Sequence, residues 1–110
     1  MSPAAILPAM IVIHATMPLD SDERDRALDL AADLAKATRD EDGCIDYRVT
    51  TDVEDPNQLR FFEQYEDEAA FGAHAQADHF QSFAAELPDL LAGDPDITRF
   101  DVDSVSDVEL

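Results

Sequence analysis

The sequence predicts an α+β fold in which helices cover one face of a four-stranded antiparallel sheet. Three observations predict it. Stretches near residues 10–16, 45–53, 59–65 and 97–102 are rich in β-branched and aromatic residues, whereas longer stretches near 20–39 and 67–91 repeat apolar residues at helical spacing. Their order is strand, helix, strand, strand, broken helix, strand, which is the β-α-β-β-α-β order of a ferredoxin-like sandwich. In the third strand Phe61, Glu63 and Tyr65 alternate with Phe62 and Gln64, so both faces carry apolar side chains, as in a sheet covered on both sides. Helices supply one cover. A second copy of the chain is the expected other cover, because a bare sheet face of that size would be a large exposed apolar patch.

The first strand, Met10 to Thr16, is bounded by Pro8 and Pro18; Ile11, Ile13 and Ala15 share one face, and Met10, Val12 and His14 the other. His14 reads as an interface or core residue. Asp20 with Glu23 three residues on forms a capping pattern for a helix running to about Arg39. Ala27, Leu28, Leu30, Ala31, Leu34 and Ala35 fall within roughly 160° of its wheel, opposite a charged side. Gly43 is the place to leave helical geometry. Ile45 to Val53 alternates Ile45, Tyr47, Val49 and Thr51 against Asp46, Arg48 and Thr50, turns at Glu54-Asp55-Pro56-Asn57, and pairs with Leu59 to Tyr65 as a hairpin. The register, and with it whether Tyr47 and Tyr65 share a face, is left open. Asp67-Glu68 begins the next helix with acid at its positive end. Asp78 with Gln81 forms a second capping pattern, so that helix breaks around 76–78; Phe80, Phe83, Ala84, Leu87 and Leu91 then make a buried stripe, and Pro88 ends or kinks the helix near Leu87. Gly93-Asp94-Pro95 punctuates before a last strand, Ile97 to Val102, and an acidic tail.

The 110 residues are expected to form one domain with a single core, which any active site must share. The net charge of −19 comes from 26 acidic and 7 basic residues, yet 45% of the residues are hydrophobic and regularly spaced, so the acid is expected on the surface of a folded domain. Lys36 is the only lysine. This balance resembles that of proteins from a halophilic archaeon, where concentrated cations screen self-repulsion. Scattered cations among acids make no basic stripe, which argues against nucleic acid and an anionic membrane surface as partners. Cys44 is alone, so neither an intrachain disulfide nor a paired-cysteine metal site is open to it. The N-terminal MSPAAILPAM reads as no secretory signal, and no apolar run has the length of a membrane span, giving a cytoplasmic expectation.

The segments E-D-G-C-I-D-Y at 41–47, F-E-Q-Y at 62–65 and D-E-A-A-F-G-A-H-A-Q-A-D-H-F at 67–80 resemble the antibiotic biosynthesis monooxygenase family of dimeric α+β barrels. The resemblance covers about residues 9–103. It implies a homodimeric α+β barrel and an activity among those of the family, which includes quinol and anthrone monooxygenases without a prosthetic group, haem-degrading enzymes and proteins of no demonstrated activity. Glu63, His74, His79 and Phe80 stand at matching positions. Tyr65 occupies a place often held by tryptophan, and Ala77-Asp78 stands where Ser-Pro is common.

A deprotonated quinol or anthrone reacts with dioxygen directly, so the protein need only supply an apolar pocket, a base and a donor for the substrate oxygen. No cofactor is then required. The glycines form no phosphate-binding fingerprint for flavin or nicotinamide. The expected site has His79 as base or orienting donor, with His74 second, Tyr65 and Tyr47 as polar edges, and Phe62, Phe71 and Phe83 as apolar walls. Glu63 is either a base or half of a dimer-interface ion pair with Arg48 or Arg99. His74 and His79, five residues apart, share no face of a continuous helix, although a break at 76–78 brings a common ligand within their reach. The readings are therefore a cofactor-independent monooxygenase of a small aromatic or polyketide-like compound, a non-catalytic dimeric ligand-binding domain, and a haem-binding relative.

Overall fold

Alternation along Met10–Pro18 (β1) puts Ile11, Ile13, Ala15 and Met17 in the core and leaves the residues between them half-exposed. The computed structural model describes residues 10–110; the prolines at 3 and 8 and the leader reading lie outside them. A 3₁₀ turn, Ser21–Glu23, follows Asp20, whose carboxylate accepts from the Asp22 N–H at 2.9 Å rather than from Glu23. It leads into α1, Arg24–Arg39, which buries Ala27, Ala31, Leu34, Ala35 and Thr38. Gly43 then turns the chain with φ +84°.

Strand β2, Cys44–Thr51, and strand β3, Gln58–Tyr65, form the expected hairpin. After α2, Glu68–Gln76, and α3, Asp78–Leu90, strand β4, Asp96–Val102, completes a sheet of order β2-β3-β1-β4 with every neighbouring pair antiparallel. The α+β sandwich is thus as expected, and no helix among the described residues is long and apolar enough to cross a membrane.

Four local expectations are corrected. Cys44 pairs with Tyr65 and Asp46 with Gln64, so Ile45 is the extra residue of a β-bulge and half-exposed rather than on the Tyr47 face. β2 stops at Thr51, and Val53 is fully exposed. Asp78 does not cap α3. Ala77 occupies that position with ψ 143° and no side-chain cap, while the Gln81 amide donates back to the Ala75 carbonyl at 2.6 Å. Finally, α3 continues through Pro88 to Leu90. Leu90 is completely buried and its carbonyl accepts from the Asp20 N–H, so tertiary contacts hold the last turn despite the missing donor.

Seven cationic residues cannot neutralise 26 acidic ones. Four of the arginines already sit on carboxylates, with Arg60 on Asp52, Arg26 on Glu23 and Glu86, Arg48 on Asp46, and Arg99 on Glu68 and Asp101, while Arg39 donates to the Tyr47 carbonyl. Melting followed by circular dichroism is expected to move upward from millimolar to molar KCl as the remaining repulsion is screened. An unchanged transition would remove self-repulsion as a factor in stability.

Candidate active site

The β3 face that meets the helices carries Leu59, Phe61, Glu63 and Tyr65, and the register places Tyr47 opposite Glu63. Tyr47 and Tyr65 therefore share a face. Between this face and α2 and α3 lies a cavity of about 170 Å³. Ile13, Ala15, Tyr47, Phe61 and Glu63 line it from the sheet; Phe71, His74, Ala75, Phe80 and Phe83 line it from the helices. Ile97 also lines it and is 58% exposed, which puts that residue at the rim.

Glu63 is 7% exposed in this apolar setting. Desolvation pushes its carboxyl up to about 7, against the opposing hydrogen bond from the Tyr65 hydroxyl at 2.6 Å, with the Glu41 charge adding to the rise. Within one chain Arg48 is on Asp46, and Arg99 on Glu68 and Asp101. Burial, then the Glu63 charge, raises the Tyr47 and Tyr65 phenols well above their ordinary range, so both remain protonated at neutral pH. The Cys44 thiol is pushed up to about 11, by burial first and Glu41 next, and is no thiolate nucleophile at neutral pH.

His74 is buried among aromatic rings, with centroid distances of 5.6 Å to Tyr47, 5.3 Å to Tyr65 and 4.9 Å to Phe80. Its Nδ1 lies 2.9 Å from Glu41 Oε2. In the neutral imidazole this contact puts the proton on Nδ1 and the lone pair on Nε2, which is buried without a partner on a residue that lines the cavity. His79 Nε2 reaches the same Glu41 oxygen at 2.5 Å. Local chain geometry makes this possible: the extended Ala77 breaks the helix so that α3 starts with His79 turned back toward α2, and the Gly43 turn holds Glu41 between them.

The structure thus brings together Tyr47, Glu63, Phe71, His74 and Phe83 around one cavity, with Tyr65 behind Glu63 and His74. It separates two others. Phe62 lies on the opposite sheet face and is 42% exposed, and His79 is not a lining residue but stands on the outer side of the Glu41 carboxylate. Glu41 is the polar residue that sequence reasoning gave no role. Its only local signal is its place in the E-D-G-C segment, beside the equally acidic Asp40 and Asp42.

Residues 10–86 match the antibiotic biosynthesis monooxygenase family model. The chain belongs to that family. Its relatives include YcnE of Bacillus subtilis, named as a candidate monooxygenase, which is 32% identical over 90 residues covering 82% of this chain and 95% of YcnE. The uncharacterised protein sll1783 of Synechocystis is 29% identical over 84% of this chain, which spans 63% of the Synechocystis protein's length. Among solved structures, a conserved protein of Methanosarcina mazei superposes with a TM-score of 0.81 at 26% identity, covering 86% of this chain and 94% of that one. A Caulobacter crescentus protein, named as a candidate antibiotic biosynthesis monooxygenase, gives 0.81 at 25% identity, covering 89% and 93%. The matched segment carries Tyr47, Glu63, Phe71, His74 and Phe83 of the cavity wall.

Proposed function

We propose that the chain is a cofactor-independent monooxygenase of a single-ring quinol, with Glu63 as the base that forms the reactive anion. The observation that carries this reading is a carboxyl group, Glu63, buried in the wall of an apolar cavity, where desolvation pushes it up to about 7. A base with that affinity is both free to accept a proton at neutral pH and able to remove one. The cavity volume supports a small substrate, since an apolar cavity of about 150 Å³ holds one benzene ring. A three-ring anthrone or the plane of a porphyrin exceeds that space unless the cavity opens.

In the proposed reaction Glu63 takes one quinol hydroxyl proton while His74 Nε2 accepts a hydrogen bond from the other hydroxyl. The anion passes one electron to dioxygen, and the resulting radical and superoxide combine at a ring carbon. Protonation gives a hydroperoxide, which loses water as that carbon becomes a carbonyl. One oxygen atom remains on the product, an oxygenated quinone, and the other leaves as water. The quinol supplies the reducing equivalents.

The same reading places the protein in a homodimer. The open sheet face carries Met10, Val12, Phe62, Phe100 and Val102, of which Phe62 and Phe100 are each more than two-fifths exposed. A second copy would cover this face.

Oxygen uptake with single-ring quinols, above their autoxidation rate, tests the activity. Ala75→Leu fills the cavity from α2 and is expected to reduce uptake about tenfold or more, because overpacking leaves no room for the ring. Uptake that is equal in the folded variant would remove the cavity as the site. Saturable ring binding without uptake would favour a non-catalytic binding domain.

A further inference from the structure

We propose that Glu41, His74 and His79 form a binding site for a divalent first-row transition metal of the Zn²⁺ type. Two imidazole nitrogens from two different helices converge on one carboxylate oxygen, and the three donor atoms, His74 Nδ1, His79 Nε2 and Glu41 Oε2, all lie within 4.8 Å of one another. Two histidines and one carboxylate are a donor set used by zinc with an open position for water. Zinc bonds of roughly 2.0–2.2 Å require donors spaced about 3–4 Å apart; the carboxylate oxygen, 2.9 and 2.5 Å from the two nitrogens, must withdraw by up to about 1 Å, and donors at the 4.8 Å limit must close by about the same amount. The outer side allows this movement, since the side chains of Glu41 and His79 are 14% and 30% exposed, whereas His74 is fixed in its aromatic setting at 2%. The partly exposed His79 side also gives water a route to the remaining coordination position.

Sharing His74 with the cavity gives this site a chemical consequence. A neutral imidazole that binds metal through Nδ1 must carry its proton on Nε2. In the neutral ring, metal binding therefore exchanges the two tautomers through solvent and turns the buried, unpartnered Nε2 from an acceptor into a donor. His79 undergoes the opposite exchange, from Nε2–H to Nδ1–H. The site would thereby set which hydrogen-bonding partner the cavity offers its ligand. Hard cations such as Mg²⁺ and Ca²⁺ favour all-oxygen sites and should not compete at two imidazoles.

The untagged full chain, stripped with EDTA and held in excess Mg²⁺ to occupy the acidic surface, provides the test. Titration with Zn²⁺ by calorimetry, and with Co²⁺ by visible absorption, is expected to show one site per chain with ligand-field bands of imidazole coordination. His79→Ala and Glu41→Gln should each weaken it by at least about a hundredfold, because even outer-shell changes cost roughly 10–100-fold in metal affinity. His14→Ala, on the open sheet face, should leave it unchanged. No saturable binding in Mg²⁺, binding insensitive to His79→Ala, or equal loss in His14→Ala would each overturn the assignment. Binding is read without substrate: oxygen uptake without a metal site overturns only this proposal, and a metal site without uptake leaves it standing.

Discussion

Glu63→Gln is expected to lower quinol-dependent oxygen uptake by about 10²–10⁴-fold, the usual contribution of a positioned base, and to make the protein more stable above neutral pH. The two effects have one origin. Burial raises the folded-state carboxyl from its ordinary value of 4.5 to about 7, so between those values the folded protein holds a proton that the unfolded chain has released. Stability from this group is fully present below pH 4.5 and declines as pH rises through 7, the reverse of the behaviour of a salt-bridged carboxylate. At about 1.4 kcal/mol per unit the full loss is about 3 kcal/mol. Glutamine has the same shape, accepts from the Tyr65 hydroxyl as glutamate does, and carries no charge to desolvate. Urea denaturation should therefore find the two proteins close at pH 4 and the variant more stable at pH 8. Uptake by the wild type should rise with pH through about 7, where the carboxylate forms. An active variant would remove Glu63 as the base, and equal stabilities at pH 8 would show that its charge is accommodated at no cost.

This opposition between stability and chemistry was only partly legible in the residues. Alternation in 10–16 and 59–65 was enough to sort Ile11, Ile13 and Ala15 onto one face of their strand and Phe61, Glu63 and Tyr65 onto one face of theirs, while the strand pairing is what sets both in one layer. It could not say that Glu63 faces the helices rather than a partner, because both faces of β3 carry aromatic side chains. The helix break was readable from Asp78 and Gln81, although the conformation of Ala77, not an Asp78 cap, makes it. Glu41 escaped for a different reason. Its partners are 33 and 38 residues away, and local patterning contains no information about which of three adjacent acids a tertiary turn will point inward. The bulge at Ile45 was hidden similarly: alternation continues on paper through a position where the paired strand supplies no partner.

That turn is the basis of the second large effect. Gly43→Ala is expected to destabilise the protein by about 2–5 kcal/mol, a large share of the roughly 5–15 kcal/mol that holds a typical domain together. Two independent penalties combine. At φ +84° a side chain enters left-handed backbone space, which costs about 1–2 kcal/mol. The added Cβ would also stand 2.6 Å from the Ala70 Cβ on α2, a contact that forces the turn and helix apart, with overpacking costs of about 1–3 kcal/mol. A double-mutant cycle separates them. Ala70→Gly removes the atom in the way, so Gly43→Ala should cost less in the Ala70→Gly background, about 1–2 kcal/mol, leaving the backbone penalty alone. Full additivity of the two changes would show that Ala70 is not the obstacle. The close approach of Gly43 to Ala70, reinforced by the Glu66 N–H donating to the Gly43 carbonyl at 2.9 Å, also fixes how far Glu41 stands from α2. A Gly43→Ala protein that still folds should therefore loosen Glu41 from His74 and lose oxygen uptake, although no residue of the cavity has been changed. Full uptake in that folded variant would mean that the Glu41 contact does not orient His74 for the reaction.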